Sequence, residues 1–189
     1  MEKAQEQEQW QGAVEALLPS TLAAAAWPHV ADFFALHRYL PGVDVCERVA
    51  AAGDGEDDDG AVRVGCVRHC AAYKPGTKEV ATWAREELVE LDAARRRLAY
   101  AIVANNMGFG RYVASVTVLP GAGGEEDEEA AGCRLVWAFE CEPVQGWSLD
   151  VLIGYLDAGL KGMAERIEKA AAAAAAATTG AIAAGAVAA

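Results

Sequence analysis

The stretch from Trp147 to Lys169 constrains this chain more than any other. Leu149, Leu152, Ile153, Leu156, Leu160, Met163 and Ile167 recur there at helical spacing, with Asp150, Asp157, Lys161, Glu165 and Glu168 on the other side. That pattern is one amphipathic helix with a continuous apolar stripe. Ser148 is placed to cap its start, and Asp150 suits the positive end of the helix dipole. At 1.5 Å per residue the helix is roughly 33 Å long, about the width of a small domain. A stripe of that length needs a broad apolar partner. Most of the chain before it reads as β-strand, so the expected partner is one curved sheet.

The strands follow in order. Trp10 to Leu18 alternates and ends at Pro19. Residues 21–26 and 29–35 are Ala-rich and read as two short helices, the second starting near Pro28. Leu40-Pro41-Gly42 is a turn. Further strands are expected at Val43–Val49, Val62–Ala72, Val80–Leu91, Arg97–Val103, Arg111–Leu119 and Cys133–Cys141. Lys74-Pro75-Gly76 turns one of them back on the next. The connectors are short enough for an antiparallel meander. The expected class is α+β: a seven-stranded curved antiparallel sheet, two short helices after the first strand, and a long C-terminal helix. One domain over residues 10–169 is expected, between a flexible N-terminus (1–9) and an Ala-rich low-complexity tail (170–189).

The 189 residues carry a formal net charge of −12, but two runs hold most of it. Asp54, Glu56, Asp57, Asp58 and Asp59 form one; Glu125, Glu126, Asp127, Glu128 and Glu129 form the other. The rest of the chain is nearly neutral, so the runs read as solvated loop inserts rather than a docking site for a cation. No basic patch with interleaved aromatics appears, which argues against nucleic acid. Met1 to Gln9 is polar and lacks the apolar core of a secretory signal, and no membrane span is expected. Five cysteines, an odd number without a disulfide-scaffold spacing, favour a reducing compartment, the cytoplasm.

Strand faces alternate with period two. In Val62–Cys70 the even positions are Val62, Val64, Cys66, Arg68 and Cys70: an apolar face broken by one arginine. Tyr112, Ala114, Val116 and Val118 share a face, as do Cys133, Leu135, Trp137, Phe139 and Cys141. Val80–Leu91 is ambiguous, with Thr82, Ala84, Glu86 and Leu88 opposing Trp83, Arg85, Glu87, Val89 and Leu91. The surface facing the long helix therefore gathers Arg68, Tyr112 and Glu86 among apolar neighbours. A buried arginine needs a partner, and Glu86 on the next strand is the nearest candidate. One reading is a structural ion pair. The sharper one is a polar constellation in an apolar pocket, as a small-molecule site requires. The expected wall of that pocket is Cys66, Leu88, Ala114, Val116, Trp137, Phe139, Leu152 and Leu156.

Several stretches then match a known pattern: Ala16-Leu17-Leu18-Pro19, Asp32-Phe33-Phe34-Ala35-Leu36-His37, Val45-Cys46-Glu47, Gly65-Cys66-Val67-Arg68, Trp83-Ala84-Arg85-Glu86 with Leu91-Asp92, and Trp137-Ala138-Phe139. Across about residues 10–169 the chain resembles the START-like, Bet v I superfamily, also called polyketide cyclase/dehydrase and lipid transport. Within it the chain resembles the family of plant lachrymatory factor synthase and its homologues. The resemblance implies a helix-grip fold, with the sheet wrapped around the C-terminal helix. It places that family's catalytic arginine, glutamate and tyrosine on Arg68, Glu86 and Tyr112, and implies no cofactor. In that family an alkenyl sulfenic acid is rearranged to a thial S-oxide. Arg68 would hold the polar oxygen, Glu86 would shuttle a proton, and Tyr112 would orient or donate. The loop Asn105-Asn106-Met107-Gly108-Phe109-Gly110 and both acidic inserts depart from the family's form, which puts the substrate in question. Abscisic-acid receptors share the fold, but their His-Arg-Leu latch is missing from this loop.

Other motifs read as structural. Cys66 and Cys70 lack a second ligand pair, so no metal site is expected. His69 falls on the opposite face; His29 and His37 flank the second short helix and suit surface or capping roles. Gly121-Ala122-Gly123-Gly124 leads into acids and is no phosphate loop. Two functions remain open. One is a cofactor-free isomerase acting on a small hydrophobic or sulfur-containing metabolite. The other is a non-catalytic carrier or sensor of a hydrophobic plant metabolite or lipid. Neither names a protein partner.

Overall fold

A computed structural model of the chain describes residues 8–49, 60–121 and 132–186, with side chains to 178. Both acidic runs lie outside the described residues. The order is β1 (Trp10–Leu18), α1 (Ala23–Ala31), α2 (Leu36–Tyr39), β2 (Val45–Val49), β3 (Val67–Tyr73), β4 (Val80–Asp92), β5 (Arg97–Asn105), β6 (Tyr112–Pro120), β7 (Cys133–Cys141) and α3 (Leu149–Ala186). The seven strands form one sheet in the order β1-β7-β6-β5-β4-β3-β2, with every neighbour antiparallel. This is the curved sheet and gripped helix expected from the α3 stripe.

The helix starts as its sequence dictates: Ser148 Oγ accepts from the Val151 N–H at 3.3 Å, and Asp150 stands in the first turn. Leu152, Leu156, Leu160, Met163 and Ile167 are all buried against the sheet. Charged side chains stay on the far face, where Lys161 reaches Asp157 one turn back at 2.6 Å. Gly162 brings α3 close to the turn before β2. A Cβ there would overlap the Pro41 ring, so only hydrogen fits.

Three expectations need correction. The strand predicted from Val62 begins only at Val67, because residues 64–65 form a turn. Gly65 takes a positive φ of 93° there, a region open to glycine, and Cys66 N–H bonds back to Arg63 O at 3.0 Å. Val64 is consequently 58% exposed and lies off the inner face. The two short helices expected after β1 are present but shifted: they run over Ala23–Ala31, through Pro28, and Leu36–Tyr39, not over 21–26 and 29–35. Ala23, Ala26 and Val30 provide one buried face across the proline, and that burial holds the helix together. The strand expected from Val43 starts at Val45.

The ambiguous face of β4 also has a physical cause. Ala84, Glu86 and Leu88 point inward, but the register shifts between Leu88 and Glu90, and a second shift separates Arg85 from Glu86. The extra residues, Val89 on β4 and Val103 on β5, are both pushed into solvent. Such bulges add curvature. They bend this part of the sheet around α3 and reverse the parity of Leu91.

Candidate functional site

The curvature leaves an apolar cavity of about 410 Å³ between the sheet and α3, in the size range of a small-ligand site. Its walls come from β3, β4, β5, β6 and β7, from α1 and α2, from the turn at Leu40–Val43, from Met107 and Phe109, and from the middle of α3. Arg68, Glu86 and Tyr112 all line it. So do Val116, Trp137 and Leu156.

Arg68 and Glu86 sit directly opposite in the β3–β4 register, which fixes their side chains on one face. Arg68 Nε donates to Glu86 Oε2 at 2.7 Å, and Arg68 Nη1 donates to the Phe33 carbonyl at 2.9 Å. The pair is buried, at 4% and 9% exposure. The guanidinium carbon lies 4.1 Å from the Phe33 ring centroid and 5.1 Å from that of Tyr100. Burial disfavours the arginine charge, but Glu86 together with Cys70, Tyr100 and Cys46 outweighs it, and the group titrates above its ordinary value. The cavity therefore carries a permanent cation, hydrogen-bonded and stacked in a low-dielectric setting.

Tyr112 opens β6. Its ring stacks on Phe139 at 6.3 Å and meets Phe109 edge-on at 5.1 Å. Tyr100 lies 6.3 Å away on β5. Burial pushes the hydroxyls of Tyr112 and Tyr100 above the ordinary tyrosine value, so both stay protonated donors at neutral pH. Asn105 fixes the loop that carries Phe109. Its Oδ1 accepts from the N–H groups of Met107 and Phe109 at 2.9 and 3.1 Å, and its Nδ2 donates to Phe109 O at 2.9 Å. The loop that departs from the resembled pattern thus forms part of the cavity wall.

Five residues expected on that wall are not there. Leu88, Ala114, Phe139 and Leu152 are packed into the apolar core instead. Helix α3 packs on β1 and β7, helix α1 packs on β6 and β5, and the core fills the space between them. Cys66 falls in the turn before β3, with its thiol near Ala61 O at 3.8 Å. In their place stand Leu98, Tyr100 and Ile102 of β5, Cys70 of β3, and Tyr155 and Met163 of α3. The period-two alternation of Leu98, Tyr100 and Ile102 was a readable signal for three of these. The Phe33 carbonyl, a backbone acceptor contributed by the chain between α1 and α2, had none.

His29 and His37, expected to flank the second short helix, lie instead within α1 and within α2, and His29 shares a 2.7 Å hydrogen bond with Tyr39. His69 lies 5.8 Å from Trp83, ring to ring. Among the described residues no group of three or more histidine, cysteine or acidic side chains is placed to hold a metal, and no helix is long and apolar enough to cross a membrane.

A curved antiparallel sheet gripping a long helix across an apolar cavity defines a helix-grip, ligand-cavity protein. The chain belongs to the polyketide cyclase / dehydrase and lipid transport family, whose model matches residues 20–172. Among solved structures it is similar to a norcoclaurine synthase point mutant from Thalictrum flavum in complex with a transition-state analogue. That match has 18% identity and a TM-score of 0.58, covering 88% of this chain and 96% of that one. It is also similar to major latex-like protein 151 of Panax ginseng, with 16% identity and a TM-score of 0.59, over 85% and 96% of the two chains. The XoxI protein of Bacillus cereus matches with 17% identity and a TM-score of 0.59, over 86% and 94%. At these identities the likeness concerns the fold.

Proposed function

We propose that this protein is a cofactor-free isomerase of the lachrymatory-factor-synthase type, moving one proton within a small sulfenic acid or a similar polar-headed apolar metabolite. The observation that carries this reading is the buried Arg68–Glu86 pair on the wall of an apolar cavity, with the Tyr112 hydroxyl on the same wall. Arg68 uses Nε and Nη1 for Glu86 and Phe33, which leaves Nη2 to hold the substrate oxygen. Glu86 Oε2 is committed to Arg68, and Oε1 is the oxygen that takes the proton.

In this scheme an alkenyl sulfenic acid enters with its chain among Val116, Leu156 and Met163. Glu86 removes the S–OH proton while Arg68 and Tyr112 steady the oxygen. The carboxylic acid then returns the proton to the alkene carbon, two atoms from the oxygen-bearing sulfur, giving the thial S-oxide. No bond to the protein forms and no electron leaves the substrate. The fixed cation does the electrostatic work without reorganisation at the moment of transfer.

A carrier or sensor of a hydrophobic plant metabolite is the second reading. It is favoured by the apolar walls and by the family's description, which couples cyclases with lipid transport. Glu86→Gln separates the two. It keeps shape and hydrogen-bonding capacity but cannot act as a base. Turnover of a sulfenic acid generated in situ is expected to fall roughly 100-fold or more, the scale of general acid–base catalysis, with ligand binding retained. Tyr112→Phe is expected to lower turnover by a smaller factor. A wild-type protein that converts no sulfenic acid, together with a Glu86→Gln variant that retains the molecule co-purifying with wild type, would turn the assignment to the carrier.

A further inference from the structure

Cys46 and Cys70 are directly opposed in the β2–β3 register, and neither is used by isomerisation or by carriage. Their sulfurs lie 3.7 Å apart, with the Cys70 thiol donating to Cys46. Both are buried, at 8% and 6% exposure, yet Cys70 also borders the cavity. Opposed antiparallel residues hold their Cβ atoms about 4.5–5.5 Å apart, and a disulfide needs about 3.5–4.5 Å. Closing a bond between them therefore takes a small approach of two strands, with no unfolding.

We propose that Cys46 and Cys70 are a redox-active dithiol, oxidised to a cross-strand disulfide by a peroxide that reaches Cys70 through the cavity. The charged and titratable groups facing the pair are Arg68 on β3, Glu86 on β4 and His37 on α2. The Cys70 hydrogen bond, working against burial and helped by the Arg68 charge, holds the Cys46 thiol down to about 6. The same hydrogen bond, with burial, raises Cys70. Cys46 is thus the more acidic of the two, and the Sγ–Sγ contact is the path by which Cys70 passes its proton to Cys46 as it attacks.

With the proton on Cys46, the Cys70 thiolate attacks one peroxide oxygen. An S–O bond forms, the O–O bond breaks, and the hydroxide released takes a proton from solvent to leave as water. The Cys46 sulfur then attacks the sulfenic sulfur. The S–S bond forms, the S–O bond breaks, and the hydroxyl departs as water with the Cys46 proton. Two thiols and one hydrogen peroxide give one disulfide and two waters. The step needs access to the cavity but no proton transfer by Glu86, so it stands or falls apart from the isomerase reading.

The test treats the reduced, full-length protein with an equivalent of hydrogen peroxide, alkylates the remaining thiols in denaturant, and maps the peptides. The expected result is a Cys46–Cys70 linked peptide, formed ahead of any modification at Cys66, Cys133 or Cys141 and reversed by dithiothreitol. Cys46→Ala removes the resolving thiol, so Cys70 should then accumulate as a sulfenic acid that dimedone captures. Undiminished alkylation of Cys46 and Cys70 while Cys66 oxidises would overturn the proposal, as would linkage spread over other cysteine pairs. Peptide mapping of the wild-type protein distinguishes these outcomes even where the variant fails to fold.

Discussion

Helix α3 faces two different surfaces along one apolar stripe. Toward β1 and β7 it is closed: Leu152, Leu160 and Ile167 are fully buried, as are Leu18, Leu135 and Cys141 across from them. Toward β3, β4 and β5 it stands off, and Tyr155, Leu156, Gly159 and Met163 look into the cavity instead. The closed half is filled with aliphatic side chains. The open half holds Arg68, Glu86, Cys70, Tyr100 and Tyr112. Packing complementarity stabilises the first half. Burying polar groups disfavours the second unless they satisfy one another, which the Arg68 hydrogen bonds accomplish. The fold thus anchors the helix on one side and keeps the other for chemistry.

The largest effect is expected from breaking the pair that makes the open half tolerable. Arg68→Leu strands Glu86 and the Phe33 carbonyl, and should cost about 3–5 kcal/mol in urea unfolding. Combining it with Glu86→Leu should recover most of that loss, because two apolar groups replace two desolvated charges. A single variant as stable as wild type would show that water reaches Glu86 and that the open half is not a low-dielectric site.

The closed half should answer to volume instead. Leu160→Ala removes a fully enclosed side chain and is expected to cost about 2–5 kcal/mol. Leu156→Ala, one turn earlier on the same stripe but beside the cavity, should fall at or below the lower end of that range, since part of its surface already borders open space. Chemical denaturation of the two variants side by side measures the contrast. Equal losses would mean that the cavity collapses onto α3 in solution.

The sequence was most readable where one simple rule governs. The α3 stripe implies a sheet, and strand parity places Arg68, Tyr112, Val116 and Trp137 on its inner face. The Arg68–Glu86 pairing follows from one hairpin. Legibility fails where a local irregularity or a long-range distance decides. The bulge at Val89 reverses parity within β4, the one at Val103 does so within β5, and neither leaves a compositional mark. The Gly65 turn shortens β3 because its glycine adopts a positive φ, although the alternation of valines runs on through it. Leu88, Ala114, Phe139 and Leu152 have the right parity for a cavity wall, and the packing of α1 and α3 on the sheet turns them into core. Cys46 and Cys70 face each other across strands separated by the first acidic run, so their register is set by the sheet and not by a local turn.

The smallest effect should come from Trp137, which sits where the two halves meet. It lies on β7, borders the cavity, and is only 7% exposed. Its indole Nε1 faces the Tyr112 hydroxyl but makes no hydrogen bond of ordinary length and angle among the described residues. A buried donor held so weakly costs up to about 1–3 kcal/mol, and Trp137→Phe removes that penalty. The same substitution gives up the apolar surface of the second ring. That loss is of similar size, at about 25 cal/mol per Å² of surface no longer buried. The two changes oppose each other, so urea unfolding should place Trp137→Phe within about 1 kcal/mol of wild type, far below the cost of Leu160→Ala. A loss as large as that of Leu160→Ala would put Trp137 with the closed half, its nitrogen bonded and its ring part of the solid core. A near-neutral result places it with the open half, where a wall residue can give up its polar edge without disturbing the grip on α3.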